Sequence, residues 1–153
     1  MQQHTERVGN MNATTSPKVT IGLPVYNSER YLSESLDSLL GQTYRDFILI
    51  INDNASTDGT AEICQRYVEA DPRIRYFRND INIGNPRNFN RVFELTTTPY
   101  LKWSTADDYW APTFLEKAIK VMEQDPTIVL CYPQAILVDA NGENPQNYDD
   151  WYV

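Results

Sequence analysis

The residues of this chain best suited to chemistry are acidic, and the most conspicuous are two adjacent carboxylates, Asp107 and Asp108. Neighbouring carboxylates repel, and they are tolerated where a divalent cation or nearby donors offset the repulsion. The pair is a candidate ligand set for Mg²⁺ or Mn²⁺; on the competing reading, Asp108 only helps to cap a helix that begins near Pro112. Asp53 either offers an acceptor to a ligand or closes an Asx turn in its own loop. Arg87 carries a fork of donors that suits phosphate, or is a solvated residue in the first turn of a helix. Tyr26 stacks on a base or covers a sheet edge. Trp103 and Trp110 flank the acidic pair and line a sugar or base pocket, or pack in the core.

Other chemistries are excluded by composition. The single histidine, His4, lies in a polar N-terminal stretch, which removes Ser-His-Asp and Cys-His catalysis and histidine-ligated metals. Any metal must then be held by oxygen. The two cysteines, Cys64 and Cys131, each sit in an apolar-periodic segment and read as buried free thiols rather than a disulfide. Thirteen Lys and Arg against 21 Asp and Glu give a net charge of −8, which argues against a broad nucleic-acid or anionic-membrane surface. No apolar run approaches the ~20 residues that span a bilayer. Residues 1–17 lack the features of a signal or transit peptide, and read as a flexible tail on a cytoplasmic protein.

The elements that must position these residues alternate. Lys18 to Leu23 reads as a strand, followed by a helix with Leu32, Leu36, Leu39 and Leu40 on one face, capped by Ser28 and ended by a left-handed Gly41. Phe47 to Ile51 is a strand buried on both faces, and the next helix shows Ile63, Cys64, Tyr67 and Val68 on one side and stops before Pro72. A third unit follows, with a strand at Ile74 to Phe77 and a helix at Asn85 to Leu95. Tyr100 to Ser104 is a fourth strand, Pro112 opens a fourth helix, Ile128 to Tyr132 is a fifth strand and Ala135 to Val138 a sixth. Such alternation predicts a doubly wound α/β fold with a mostly parallel sheet between helical layers.

In open α/β sheets, ligands bind beyond the carboxyl ends of the strands. Four polar loops sit there: Pro24-Val25-Tyr26-Asn27, Asn52-Asp53-Asn54, Asn79 to Gly84 with Asn82 in it, and Thr105-Ala106-Asp107-Asp108. They are expected to converge on one crevice.

The stretches Val19 to Asn27, Leu36 to Tyr44, Ile51 to Thr60, Asn82 to Asn88, and Asp107-Asp108 with Pro112 and Leu115 resemble, in order and spacing, the family 2 inverting glycosyltransferases. The resemblance covers residues 18 to about 140. It implies a GT-A fold, which is Rossmann-like and three-layered (α/β/α), and a donor site for a nucleoside-diphosphate sugar, most commonly a uridine one. Pro24, Val25, Tyr26 and Asn27 would lie near the nucleoside, Asp53 would accept a hydrogen bond from the base, and Asn82, Arg87, Thr105 and Asp107 would complete the contacts. Mg²⁺ or Mn²⁺ would bridge the acidic motif and the diphosphate. A saccharide or lipid-linked acceptor would attack with inversion, in polysaccharide assembly at the inner face of the cell envelope.

Two departures stand out. The family motif often begins with an aspartate where this chain has Thr105, a weaker metal ligand. The family's general base and acceptor residues belong to a later segment, so no catalytic base is assigned, and residues 141–153 read as the start of an acceptor-binding segment that lies beyond this chain. A second reading is accordingly a nucleotide-binding module without turnover of its own. A third, a response-regulator-like receiver, expects a lysine after the fifth strand, where this chain has Pro133-Gln134.

Overall fold

The structure is a computed structural model that describes residues 16–139, 141–143 and 145–147. The expected N-terminal tail falls almost entirely outside these, as do Trp151 and Tyr152. The described chain divides into two compact units, residues up to 28 with 46–105, and residues 29–45 with the chain from 106 on.

The first unit is built on four parallel strands, β1 (Val19–Val25), β2 (Phe47–Asp53), β3 (Ile74–Arg78) and β4 (Tyr100–Trp103), in the order β3-β2-β1-β4. Every residue of β1 and β2 is buried, as a parallel sheet covered on both faces requires. Helix α3 (Asn85–Glu94) lies against β1 and β2, where Val92 packs on Ile48 and Ile50. Its close approach is set by Gly22: a Cβ there would stand 2.6 Å from Val92 Cγ1. Helix α2 (Thr60–Ala70) lies against β2 and β3. Because successive strand residues point to opposite faces, Asn52 faces α3, while Asp53 faces the α2 side, where its charge is felt by Cys64. The register places Val25 beside Asp53 and Asp53 beside Arg78, so three strands end on one line.

In the second unit, α1 (Leu32–Leu40) and α4 (Phe114–Gln124) are joined through Gln42. This buried amide donates to Ser38 O and Ala111 O and accepts from Leu115 N. The bonds to Ser38 O and from Leu115 N satisfy groups in the last turn of α1 and the first turn of α4 that have no intrahelical partner. A short antiparallel pair, β5 (Ile136–Leu137) with β6 (Gln146–Asn147), follows.

Several local expectations are corrected. Ser28 does not cap α1: its N–H donates to Thr60 Oγ1 and its hydroxyl to Tyr26 O, and the helix starts at Leu32 with no side-chain cap. Gly41 keeps a right-handed φ of −76°. Pro112 precedes α4, which begins at Phe114 after Thr113. Ile128 to Tyr132 forms no strand; Val129, Leu130 and Tyr132 are exposed. An apolar β-branched run marks a segment that suits a sheet, but a strand also needs a partner, which periodicity cannot supply. The sixth expected strand shrinks to Ile136–Leu137, the two residues that pair with β6. Of the two thiols, Cys64 is buried and Cys131 only partly so.

Candidate functional site

The end of β2 is organised by a carboxylate with no solvent exposure. Asp53 Oδ1 accepts from the Ser56 N–H at 2.8 Å and from the Ser56 hydroxyl. Oδ2 accepts from Tyr76 Oη at 2.8 Å and pairs with Arg78 Nη1 at 3.5 Å. Arg78 Nη2 also donates to Ser56 O at 2.7 Å. A buried charge is stable only when paired and hydrogen-bonded, and both oxygens here are. Burial, followed by the hydrogen bond to Asp53, pushes the Tyr76 phenol well above its ordinary range. Burial, with a smaller effect from the Asp53 charge, pushes the Cys64 thiol up to about 12. The turn that the sequence left as one of two roles for Asp53 is thus present, tightened by neighbours on β3.

The loop after β1 is tied to the same turn. Asn27 N–H donates to Ser56 Oγ, and Asn27 Oδ1 accepts from Thr57 N at 2.8 Å. Asn27 and Ala55 both have positive φ, 48° and 60°. For alanine this conformation costs roughly 1–2 kcal/mol, and the bonds from Asp53 and Asn27 across the loop hold it.

A second network faces α3. Asn52 Nδ2 donates to Asn88 Oδ1 at 2.6 Å and to Asn79 Oδ1. Asn88 Nδ2 donates to Asn52 O, Asn79 Nδ2 to Asn54 Oδ1 and Asn88 Oδ1, and Asn54 Nδ2 to Asn82 Oδ1. Asn54 Oδ1 and Asn82 Oδ1 also receive the backbone N–H groups of Ile83 and Gly84. The amides thereby fix the turn into α3, where Gly84 takes φ 83°, open to glycine without strain. Sequence reasoning missed Asn52, Asn54, Asn79 and Asn88 as a connected set. The available signal was an asparagine immediately beyond each of two strands and a third on the buried side of the next helix.

The remaining predicted residues take varied places. Pro24 and Val25 are buried at the end of β1, with Val25 O accepting from Asn54 N. Tyr26 and Arg87 are exposed. Trp103 packs on Phe89, ring centroids 5.0 Å apart, and Trp110 on Phe114 at 4.9 Å. Thr105 closes the first unit, one residue after Ser104, whose N–H donates to Gly22 O. Asp107 and Asp108 are exposed in the second unit. Within the first unit, Val25, Asn27, Asp53 and Asn82 are brought together by hydrogen bonds.

A parallel sheet whose strand-end loops are bound to one another is the frame on which nucleotide-binding sites are built, and the sequence matches Glycosyl transferase family 2 over residues 20–151. The chain belongs to this family. It is 34% identical over 137 residues to an uncharacterized glycosyltransferase of Methanocaldococcus jannaschii, covering 88% of this chain and 46% of that one. Among solved structures, Staphylococcus aureus TarS in complex with UDP-GlcNAc matches at 26% identity with a TM-score of 0.66, over 70% of this chain and 31% of that one. The mannosyltransferase PcManGT of Pyrobaculum calidifontis, in complex with GDP-Man and Mn²⁺, matches at 29% identity and 0.67, over 75% and 34%. The fold is GT-A, and the chain spans about half the length of the relative and a third of the solved chains.

Among the described residues no group of three His, Cys, Asp or Glu side chains gathers to hold a metal. Asp53 is committed to Ser56, Tyr76 and Arg78. Asp107 and Asp108 are both exposed. A Mg²⁺-type site is commonly one or two carboxylates completed by substrate phosphates and water, and a pair of this kind fits that donor set.

Proposed function

We propose that this chain binds the donor of a glycosyl transfer, a nucleoside-diphosphate sugar carried on uridine, and that the protein passes the sugar to a saccharide or lipid-linked acceptor with inversion. The observation that carries the reading is the cross-tied end of β1, β2 and β3, which fixes the Pro24 to Asn27 loop, the Asp53 turn and the α3 entry before any ligand arrives. Preorganisation of this kind lowers the ordering cost of binding.

In this reading Tyr26 offers its exposed ring to the base, Asp53 sets the base-proximal turn, Asn82 fixes the entry of α3, and Arg87 donates to the diphosphate. Thr105 and Asp107 complete the contacts, and Asp107 and Asp108 would hold Mg²⁺ or Mn²⁺. Such an ion, when bound, offsets the negative charge that develops on the departing nucleotide. UDP-GlcNAc on TarS and GDP-Man with Mn²⁺ on PcManGT support the donor class and the metal. A role in envelope polysaccharide assembly at the cytoplasmic side belongs to the same proposal; among the described residues no helix is long and apolar enough to cross a membrane.

The test is isothermal titration of the chain with UDP and with GDP, with and without Mn²⁺. Metal-dependent UDP binding that disappears in the double variant Asp107→Ala, Asp108→Ala is the expected result. Absence of binding by both nucleotides in the presence of Mn²⁺ removes the donor assignment. A second reading, donor binding without turnover of its own, predicts UDP binding with no UDP release from UDP-sugars.

A further inference from the structure

Between Ala106 and Thr113 the chain forms neither helix nor strand, and Asp107, Asp108 and Tyr109 along it are exposed. An irregular loop that carries two like charges is costly to order. Its return into α4 is nevertheless fastened, at successive backbone positions, to the C-terminal end of α1. The Trp110 N–H donates to Ser38 Oγ at 3.2 Å, Gln42 Nε2 donates to Ala111 O at 2.9 Å, and the Thr43 N–H donates to Pro112 O at 2.8 Å. Gln42 Oε1 accepts from Leu115 N at 3.0 Å, and Thr43 Oγ1 donates to Glu116 Oε2 at 2.7 Å.

The two side chains in this set are held as firmly as the backbone they grip. Ser38 and Gln42 are buried. The Ser38 hydroxyl donates to Ser35 O at 2.8 Å, so toward the loop it acts only as an acceptor. Both ends of the Gln42 amide are engaged, which fixes its orientation. Capping of α4 accounts for the bond from Leu115 N. The bonds at Trp110, Ala111 and Pro112 fall before that helix, just after Asp108, and fix the loop instead. A divalent ion needs its oxygens at set places, and residues that hold ligands from behind govern metal affinity without touching the ion. Given the proposed assignment of Mg²⁺ or Mn²⁺ to Asp107 and Asp108, on which this step rests, we infer that Ser38 and Gln42 are positioning residues of the metal site. The end of α1 holds the acidic loop in the shape that the ion and the donor diphosphate require, so that its ordering cost falls on folding rather than on binding.

The experiment titrates Mn²⁺ into the full chain with UDP present and reads free Mn²⁺ by electron paramagnetic resonance. In Ser38→Ala the Kd for Mn²⁺ should rise about three- to tenfold, the equivalent of one lost hydrogen bond. Ser38→Thr, which keeps the hydroxyl, should recover most of that loss. Ile119→Val, a buried methyl deleted from α4, controls for lost stability alone and should bind Mn²⁺ as the wild type does. Gln42→Leu removes two loop contacts and should exceed Ser38→Ala; if circular dichroism shows it unfolded, the Ser38 pair decides. An unchanged Kd in Ser38→Ala, an equal loss in Ile119→Val, or no recovery in Ser38→Thr overturns the inference while the donor and metal assignment stands. A wild type that binds no Mn²⁺ with UDP present counts against that assignment itself and removes this inference with it.

Discussion

Asn88 is the side chain on which the α3 entry depends, and its truncation is a quantitative test of the asparagine network. In Asn88→Ala, Asn52 Nδ2 loses its 2.6 Å acceptor and Asn79 Nδ2 its 3.1 Å acceptor, while Asn52 O loses the donor at 3.1 Å. The two amide nitrogens retain Asn79 Oδ1 and Asn54 Oδ1. The three lost hydrogen bonds contribute about 0.5–1.5 kcal/mol each. The expected loss is about 2–4 kcal/mol, or roughly 4–16 °C in Tm for a chain of this size. Asn88→Asp refines the test, because it keeps the shape and sets an oxygen where Nδ2 now faces Asn52 O and Val25 O. It should cost more than alanine. Urea unfolding at neutral pH measures both. An Asn88→Asp protein as stable as Asn88→Ala, or an alanine variant within about 0.5 kcal/mol of wild type, would refute the assigned network.

Three further outcomes follow from the packing and the buried groups. Gly22→Ala drives a methyl to 2.6 Å from Val92 Cγ1, with Trp103 and Leu101 atoms at 3.2 and 3.3 Å; it should destabilise by about 1–3 kcal/mol, and adding Val92→Ala should recover part of that in a double-mutant cycle. Cys64, whose thiol is raised from 9.0 to about 12, should resist iodoacetamide at about pH 8 while the partly exposed Cys131 reacts, giving a single adduct by mass spectrometry until the chain is unfolded. A raised folded-state value favours the native state fully below the unfolded value and loses that advantage as pH climbs through the folded one. The urea midpoint should therefore fall between pH 9.0 and about 12, and fall less in Cys64→Ala.

The fold class was legible in the sequence because a parallel sheet and its covering helices each leave a local signature. The uniform apolar runs of β1 and β2, the Leu32, Leu36, Leu39 stripe, and the polar residues that follow each strand need only near neighbours to be read. The motif order named the family, and the loops after the strands were identified as the place for chemistry. What tertiary structure decided were the partners. Asp53 could be a ligand or a turn-former from sequence; the approach of Ser56, Tyr76 and Arg78 from 3 to 25 positions away makes it the buried anchor of the turn. The joining of Asn52, Asn54, Asn79, Asn82 and Asn88 into one network depends on the register of β2 against β3 and on how closely α3 approaches over Gly22. Ser28 was a plausible helix cap by type, yet Thr60, 32 residues on, takes its N–H. Ile128 to Tyr132 had the composition of a strand and found no strand to pair with. Periodicity reports which face of a segment seeks burial; which atoms meet there is settled only when segments distant in sequence are brought side by side.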